Sequence, residues 1–152
     1  MSRSRQLLCF FYAAVALLAL VATWSQNVAY LDASEGPLAG FIGATARFWP
    51  ATFATPASTS ITVDIALFSL AAVALMVIEA RRLQIRFVWL YAVGGLLIAI
   101  SVTFPLFLIA RERRLVARGE ANGDLGFTGA DTIGLLAFTA LGCGVSFWTL
   151  LR

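Results

Sequence analysis

The sequence predicts an all-α integral membrane protein, a four-helix bundle with one short interfacial helix in its first loop. Of its 152 residues, 61% are hydrophobic and only 12% are charged, whereas soluble domains carry about 25% charged residues. The apolar residues gather into four long runs, and a helix of ~20 apolar residues spans ~30 Å of hydrocarbon. The length fits one transmembrane domain, residues 1–152.

The four predicted spans lie near residues 7–26, 61–81, 87–110 and 131–151. The first follows Arg3 and Arg5 and is longer than the 7–15-residue apolar core of a secretory signal. We therefore expect it to be a retained helix. The second carries Asp64 near its start and Glu79 near its end, with Ser69 as the single polar side chain between them.

The third span has two features that predict a bent, closely packed helix. Gly95, Ala99 and Thr103 repeat at four-residue spacing, the small-residue pattern by which membrane helices approach one another. Pro105 removes a backbone donor and clashes with the preceding turn, so we expect a kink there. The polar, glycine-rich residues 111–130 that follow are expected to form a solvent loop, helical at first.

The first loop holds a predicted amphipathic helix near residues 38–49. Apolar side chains recur there at helical spacing, and Arg47 lies off their face. The segment is too short to cross a bilayer, so we expect it to lie at the interface. Pro50 and Pro56 predict irregular chain after it, and Ser60 is the expected cap of the second span.

Orientation is predicted from the eleven arginines, since the chain has no lysine. If all four spans cross, one side of the membrane holds Arg3, Arg5, Arg81, Arg82, Arg86 and Arg152. The other side holds Arg47, Arg111, Arg113, Arg114 and Arg118. This division is nearly even. The arginines before the first span therefore decide it, because the first helix usually dominates. They place both termini in the cytoplasm.

Several classes of function are disfavoured by what the sequence lacks. It has no histidine and no CxxC motif, so we expect no metal site and no cofactor. Cys9 and Cys143 lie in apolar runs and are expected to be buried free thiols. No basic tract with interleaved aromatic residues predicts nucleic-acid binding.

The candidate site follows from helix direction. In a bundle of alternating spans, one predicted outer-leaflet pocket collects Trp24, Asn27, Asp64, Arg111 and Asp131. A carboxylate at membrane depth is costly unless it has partners, so we expect Asp64 to face the interior and touch Asn27 or Arg111. At the opposite side, Glu79 is expected to form a structural ion pair.

The expected partners of Glu79 are Arg82 and Arg86, because both lie near it at the membrane interface. Exposed pairs of this kind contribute little to stability.

Four short motifs resemble those of a bacterial membrane family known as domain of unknown function 2834. They are Trp24-Ser25-Gln26-Asn27, Ser60-Ile61-Thr62-Val63-Asp64, Glu79-Ala80-Arg81-Arg82-Leu83 and Phe104-Pro105-Leu106-Phe107-Leu108 followed by Arg111. The resemblance covers roughly residues 15–115. It implies a small multi-span protein of a bacterial inner membrane and roles for Asn27, Asp64, Glu79 and Arg111, but supplies no established activity. Where the family often has Asn before Pro in the first loop, this chain has Thr55-Pro56.

Three functions remain open at this point. The first is a binding or accessory protein that holds a lipid, an isoprenoid or a partner subunit in the outer pocket. The second is a terpenoid cyclase or isomerase in which Asp64 donates a proton and Trp24 or Phe104 stabilises a carbocation. The third is a component of an oligomeric transporter. The expected partners are membrane lipids, another membrane protein or further copies of the chain.

Overall fold

A computed structural model describes residues 1–32, 34, 36–121 and 125–151, and the secondary structure within them is helical. The helices are α1 (Arg3–Asn27), α2 (Pro37–Ala51), α3 (Pro56–Leu83), α4 (Val88–Gly94), α5 (Ile100–Ala117) and α6 (Gly129–Leu150). Four stretches are long and apolar enough to cross a membrane: Arg3–Tyr30, Pro56–Leu83, Val88–Ala117 and Gly129–Leu150. The predicted all-α fold with four span-length apolar stretches is confirmed.

The start of α3 differs from the prediction because of its cap. Thr55, not Ser60, is the N-cap: its hydroxyl accepts the Ser58 N–H at 3.1 Å, and the Ser58 hydroxyl accepts the Thr55 N–H at 3.1 Å. Pro56 takes the first helical position, where its missing N–H has no cost. Pro50 lies inside α2. Only residues 52–55 therefore separate the two helices.

The short helix of the first loop is present as α2 and packs on the C-terminal end of α1. The rings of Trp24 and Phe41 stack with centroids 6.4 Å apart. Arg47 Nε donates to the carbonyl oxygen of Tyr30 at 3.0 Å. These contacts fix α2 against α1, while its position at a membrane interface stays a prediction.

The third apolar stretch is a hairpin of two helices rather than one rod. Tyr91 in α4 and Phe107 in α5 pack edge to face with ring centroids 5.6 Å apart, whereas an unbroken helix would separate their backbones by ~24 Å. The chain turns at Ala99, whose backbone is extended (φ 178°, ψ 140°). The prediction of one kinked helix over residues 87–110 is therefore corrected to two helices that fold back on each other. The bend lies at Ala99, and Pro105 is buried within α5.

Two glycines allow the close approach of the hairpin arms. A Cβ atom on Gly94 would lie 3.2 Å from Thr103 Cγ2, and one on Gly95 would lie 3.0 Å from Thr103 Oγ1. The small-residue pattern therefore allows close packing within the third stretch, between its two arms.

The hairpin reverses the direction that α5 was expected to take. α5 runs parallel to α3, because Phe68 packs on Phe104 with ring centroids 6.3 Å apart and Glu79 binds Arg111. It runs antiparallel to α1, since Arg5 binds Glu112. The last helix, α6, then runs parallel to α1: Ser4 lies beside residues 125–127, and Gln26 donates to the carbonyl of Thr149.

The core is small and centres on α5. Met76, Ala80, Val88 and Phe107 form one buried cluster, with Met76 and Phe107 fully buried. By contrast, α6 buries none of its residues. The expectation of two buried thiols is therefore wrong: Cys9 in α1 is half-buried, and Cys143 in the peripheral α6 is exposed.

Candidate functional site

Arginines concentrate at one end of the molecule, which we call the arginine end. There α1 and α6 begin and α3 and α5 finish, because the hairpin returns the chain to the side from which α4 starts. The arginines in these segments are Arg3, Arg5, Arg81, Arg82, Arg86, Arg111, Arg113, Arg114 and Arg118. Among the described residues, Arg47 is the one arginine located elsewhere.

Glu112 of α5 is the most enclosed charged residue at the arginine end, with 4% of its surface exposed. Its Oε2 accepts from Arg5 Nη1 of α1 at 2.5 Å, and its Oε1 accepts from Arg111 Nη1 at 3.0 Å. Burial of a carboxylate is tolerated when each oxygen has a charged donor. The contact with Arg5 joins the first turn of α1 to the last turns of α5.

Glu79 of α3 is the second centre of the cluster. Arg82 binds it with two parallel hydrogen bonds of 2.9 Å, the bidentate geometry that guanidinium and carboxylate groups favour. Arg111 Nε also donates to Glu79 at 2.6 Å. Since Arg111 contacts Glu112 as well, one guanidinium bridges the carboxylates of α3 and α5.

The outer edge of the cluster is looser. Glu120, which follows α5, lies 3.5 Å from Arg82 and 3.6 Å from Arg118. Arg118 also donates to the carbonyl oxygen of Arg82 at 2.9 Å. These groups are at least a third exposed, so their charge pairs add little stability. The cluster therefore joins α1, α3 and α5, and the carboxylates of Glu79 and Glu112 both accept hydrogen bonds from arginine.

The structure divides the five predicted ligand-binding residues between the two ends. Arg111 lies at the arginine end, on Glu79, so the expected contact of Asp64 with Arg111 is corrected. Asp64 lies fifteen positions before Glu79 in the same helix, a separation of ~22 Å along the axis. The reason is the hairpin, which directs the C-terminal end of α5 toward Glu79.

Asp64 itself is exposed, and it has no hydrogen bond or ion pair with any residue in the described part of the chain. Its end of the molecule also holds Asn27 and Trp24. The indole Nε1 of Trp24 is buried with no hydrogen-bond partner among the described residues. Nearby in sequence, the Ser34 hydroxyl and N–H bind Asp32 and lower the pKa of its carboxyl.

Asp131 has a local role at the start of α6. Its Oδ2 accepts the Thr128 N–H at 2.8 Å, and its own N–H donates to the Thr128 hydroxyl at 3.2 Å. This reciprocal capping box explains an acid at this position. It places Asp131 near the arginine end, away from Asn27.

Sequence reasoning identified Arg82 as a partner of Glu79 from their three-residue spacing, and the structure places them together. It also named Arg86, which makes no ion pair with a described residue. Glu112 and Arg5 were missed, because residues 111–130 were expected to be a solvent loop. A single acid inside the run Arg111–Arg114 was the available signal.

Four apolar stretches of spanning length, three of them joined at one end by an interhelical ion-pair cluster, define a multi-pass membrane protein. The chain belongs to the family described as protein of unknown function DUF2834, whose model matches residues 11–113. The match covers most of α1 through α5, including Glu79, Arg111 and Glu112, and finishes before α6. No curated protein and no solved structure matches the chain.

Proposed function

We propose that the protein is a membrane-embedded binding or accessory protein that holds anionic phospholipid headgroups at its arginine end, on the cytoplasmic face of a bacterial inner membrane. The observation that carries this proposal is a surplus of positive charge. Glu79, Glu112 and Glu120 are already paired with arginine. Among the described residues, no carboxylate pairs with Arg3, Arg81, Arg86 or Arg113.

The membrane supplies a ligand for this surplus. Basic residues near a cytoplasmic leaflet gain about 1 kcal/mol each from anionic lipids. Guanidinium groups also bind phosphate with two parallel hydrogen bonds. The inner ion pairs hold α1, α3 and α5 in fixed relative positions. The unpaired arginines at the ends of these helices therefore also have fixed relative positions.

The distribution of arginines also supports a cytoplasmic arginine end. In this orientation, all described arginines except Arg47 lie on the cytoplasmic side, as the positive-inside rule favours. The expected near-even division assumed a straight third crossing. With the hairpin, α1, α3 and α6 are the crossings. Because α1 begins at the arginine end, the N-terminus is then cytoplasmic, and α6 finishes on the other side.

A binding role is better supported than the cyclase or isomerase reaction. That chemistry needs a carboxylic acid enclosed by apolar groups, which raise its pKa and hold the substrate. Asp64 is exposed instead. The expected outer-leaflet pocket also loses Arg111 and Asp131, which lie at the arginine end.

Native mass spectrometry of the full chain tests the proposal. The detergent-purified protein is mixed with equal amounts of phosphatidylglycerol and phosphatidylcholine of the same acyl chains. We expect preferential retention of phosphatidylglycerol, because only its headgroup carries a net negative charge. Replacing Arg3, Arg81 and Arg86 by Gln should reduce that preference, whereas Arg47→Gln, at the opposite end, should not. Equal retention of the two lipids by the unmodified chain would overturn the proposal.

A further inference from the structure

We propose that a groove between α1 and α5 seats one anionic phospholipid, with its phosphate on Arg113 and one acyl chain along Phe10, Ala13 and Ile109. This inference rests on the proposed function and names a site for it. The groove is an open surface depression of about 330 Å³ between the two helices. Its lining residues are Met1, Gln6, Cys9, Phe10, Ala13, Ile109 and Arg113.

The order of these residues gives the groove a polar end and an apolar end. α1 begins at the arginine end, so Gln6 lies nearer that end than Phe10 and Ala13 do. α5 finishes there, so Arg113 lies nearer than Ile109. The two antiparallel helices therefore place an amide and a guanidinium at the mouth, with apolar side chains deeper. A phospholipid has the same order of polar head and apolar tail.

The positive charge of Arg113 at the mouth of the groove favours an anionic ligand. Arg113 is exposed and forms no ion pair with a described residue. Its neighbour Glu112 cannot neutralise it, because both Glu112 oxygens are bound by Arg5 and Arg111. A lipid phosphate would supply the missing counter-charge.

The apolar part of the groove favours a lipid over a free anion. From Gln6 to Ala13 the groove follows α1 for ~10 Å at 1.5 Å per residue. An acyl chain can lie along Phe10, Ala13 and Ile109, because this part of the groove offers apolar contacts over that length. Free phosphate would contact only the mouth.

Two native thiols provide an internal comparison. Cys9 lines the groove, whereas Cys143 is exposed on α6. In detergent, the full chain is treated with N-ethylmaleimide alone, or with added phosphatidylglycerol, phosphatidylcholine or inorganic phosphate. Alkylation at each site is followed by peptide mass spectrometry. We expect phosphatidylglycerol to slow alkylation of Cys9 severalfold and to leave Cys143 unchanged, while the other two additions have little effect.

The variant Arg113→Gln should lose this protection, and Arg47→Gln should retain it. Because the Arg113 side chain is exposed and unpaired, its replacement leaves the helix contacts intact, and an unchanged Cys143 rate checks this. Equal protection by inorganic phosphate would overturn the lipid assignment. Retention of phosphatidylglycerol in native mass spectrometry without protection of Cys9 would reject the groove but keep the proposed function. Loss of both results would reject both.

Discussion

Glu112 shows how a charged side chain becomes interior in a largely apolar chain. It sits in the run Arg111–Arg114, where every neighbour in sequence is basic or apolar. Its burial is compatible with a negative charge because Arg5 and Arg111 each hold one oxygen. An unpaired carboxylate in that position would lose several kcal/mol of hydration without compensation.

The variant Glu112→Ala should therefore lower the free energy of unfolding strongly, by ~3–5 kcal/mol, because it leaves Arg5 largely buried without a counter-charge. Glu120→Ala is the matched control: that side chain is 40% exposed, and exposed pairs contribute ~0–1 kcal/mol. Thermal denaturation of both variants in one detergent measures the difference. Equal losses would show that Glu112 is not an interior anchor.

Residue-level prediction succeeded where the pattern was local and failed where it depended on chain direction. The contact of Glu79 with Arg82 follows from helical spacing alone. The contact of Glu79 with Arg111 does not, because it requires the chain to reverse between α4 and α5. The predicted contact of Asp64 with Arg111 also depended on chain direction. A continuous third span would have placed Arg111 at the same end of the molecule as Asp64.

At the level of elements, the hairpin is the decisive departure from expectation. Apolar composition over Val88–Ala117 meets the length requirement of a crossing, and composition does not record a turn within an apolar run. The local features were visible, namely the Gly94–Gly95 pair and the small residues around it. Small residues favour close approach both between separate helices and within a hairpin, so these features alone do not distinguish the two arrangements.

A disulfide tests the hairpin directly. In a chain with Cys9→Ser and Cys143→Ser, the pair Gly94→Cys and Thr103→Cys should oxidise readily. A Cβ on Gly94 would lie 3.2 Å from Thr103 Cγ2, which is one bond from the Thr103 Cβ. The two Cβ positions are therefore close enough for a disulfide, which needs Cβ atoms ~3.5–4.5 Å apart. In an unbroken helix the same positions would be ~13 Å apart.

The control pair lies in α6 at the same sequence separation. Gly134→Cys is combined with the native Cys143 in a Cys9→Ser background, and α6 is continuous between them. Gel mobility after mild oxidation and digestion reports both bonds. No bond in the α4–α5 pair, or equal oxidation of both pairs, would contradict the hairpin.

For the whole molecule, the proposed topology has three crossings, α1, α3 and α6, because the hairpin folds the third stretch back on itself. Composition sufficed to predict helices of spanning length and the helix α2, since both depend on apolar run length and periodicity. The arrangement of these helices did not follow from composition. Because of this one reversal, α5 finishes and α6 begins at the arginine end. Arg111 and Asp131 therefore both lie there and not at the end that holds Asp64.

The proposed topology predicts that the two ends of the chain lie on opposite sides of the membrane. Single cysteines are introduced as Ser2→Cys, Ala121→Cys and Leu151→Cys in a chain with Cys9→Ser and Cys143→Ser. A membrane-impermeant maleimide should label Leu151→Cys from outside intact cells, and the other two only in inverted vesicles. Labelling of Ser2→Cys and Leu151→Cys from the same side would contradict the proposed topology.

The hairpin also decides what has to be translocated while the protein is made. With the arginine end in the cytoplasm, the loop that holds α2 is carried across the membrane, and Arg47 is its only arginine. A straight third crossing would add Arg111, Arg113, Arg114 and Arg118 to the exported cargo. Basic residues close to a span favour the cytoplasmic side, which is the basis of the positive-inside rule. In the proposed orientation the translocated loop therefore carries few charges, and the basic residues at the ends of α3 and α5 stay in the cytoplasm.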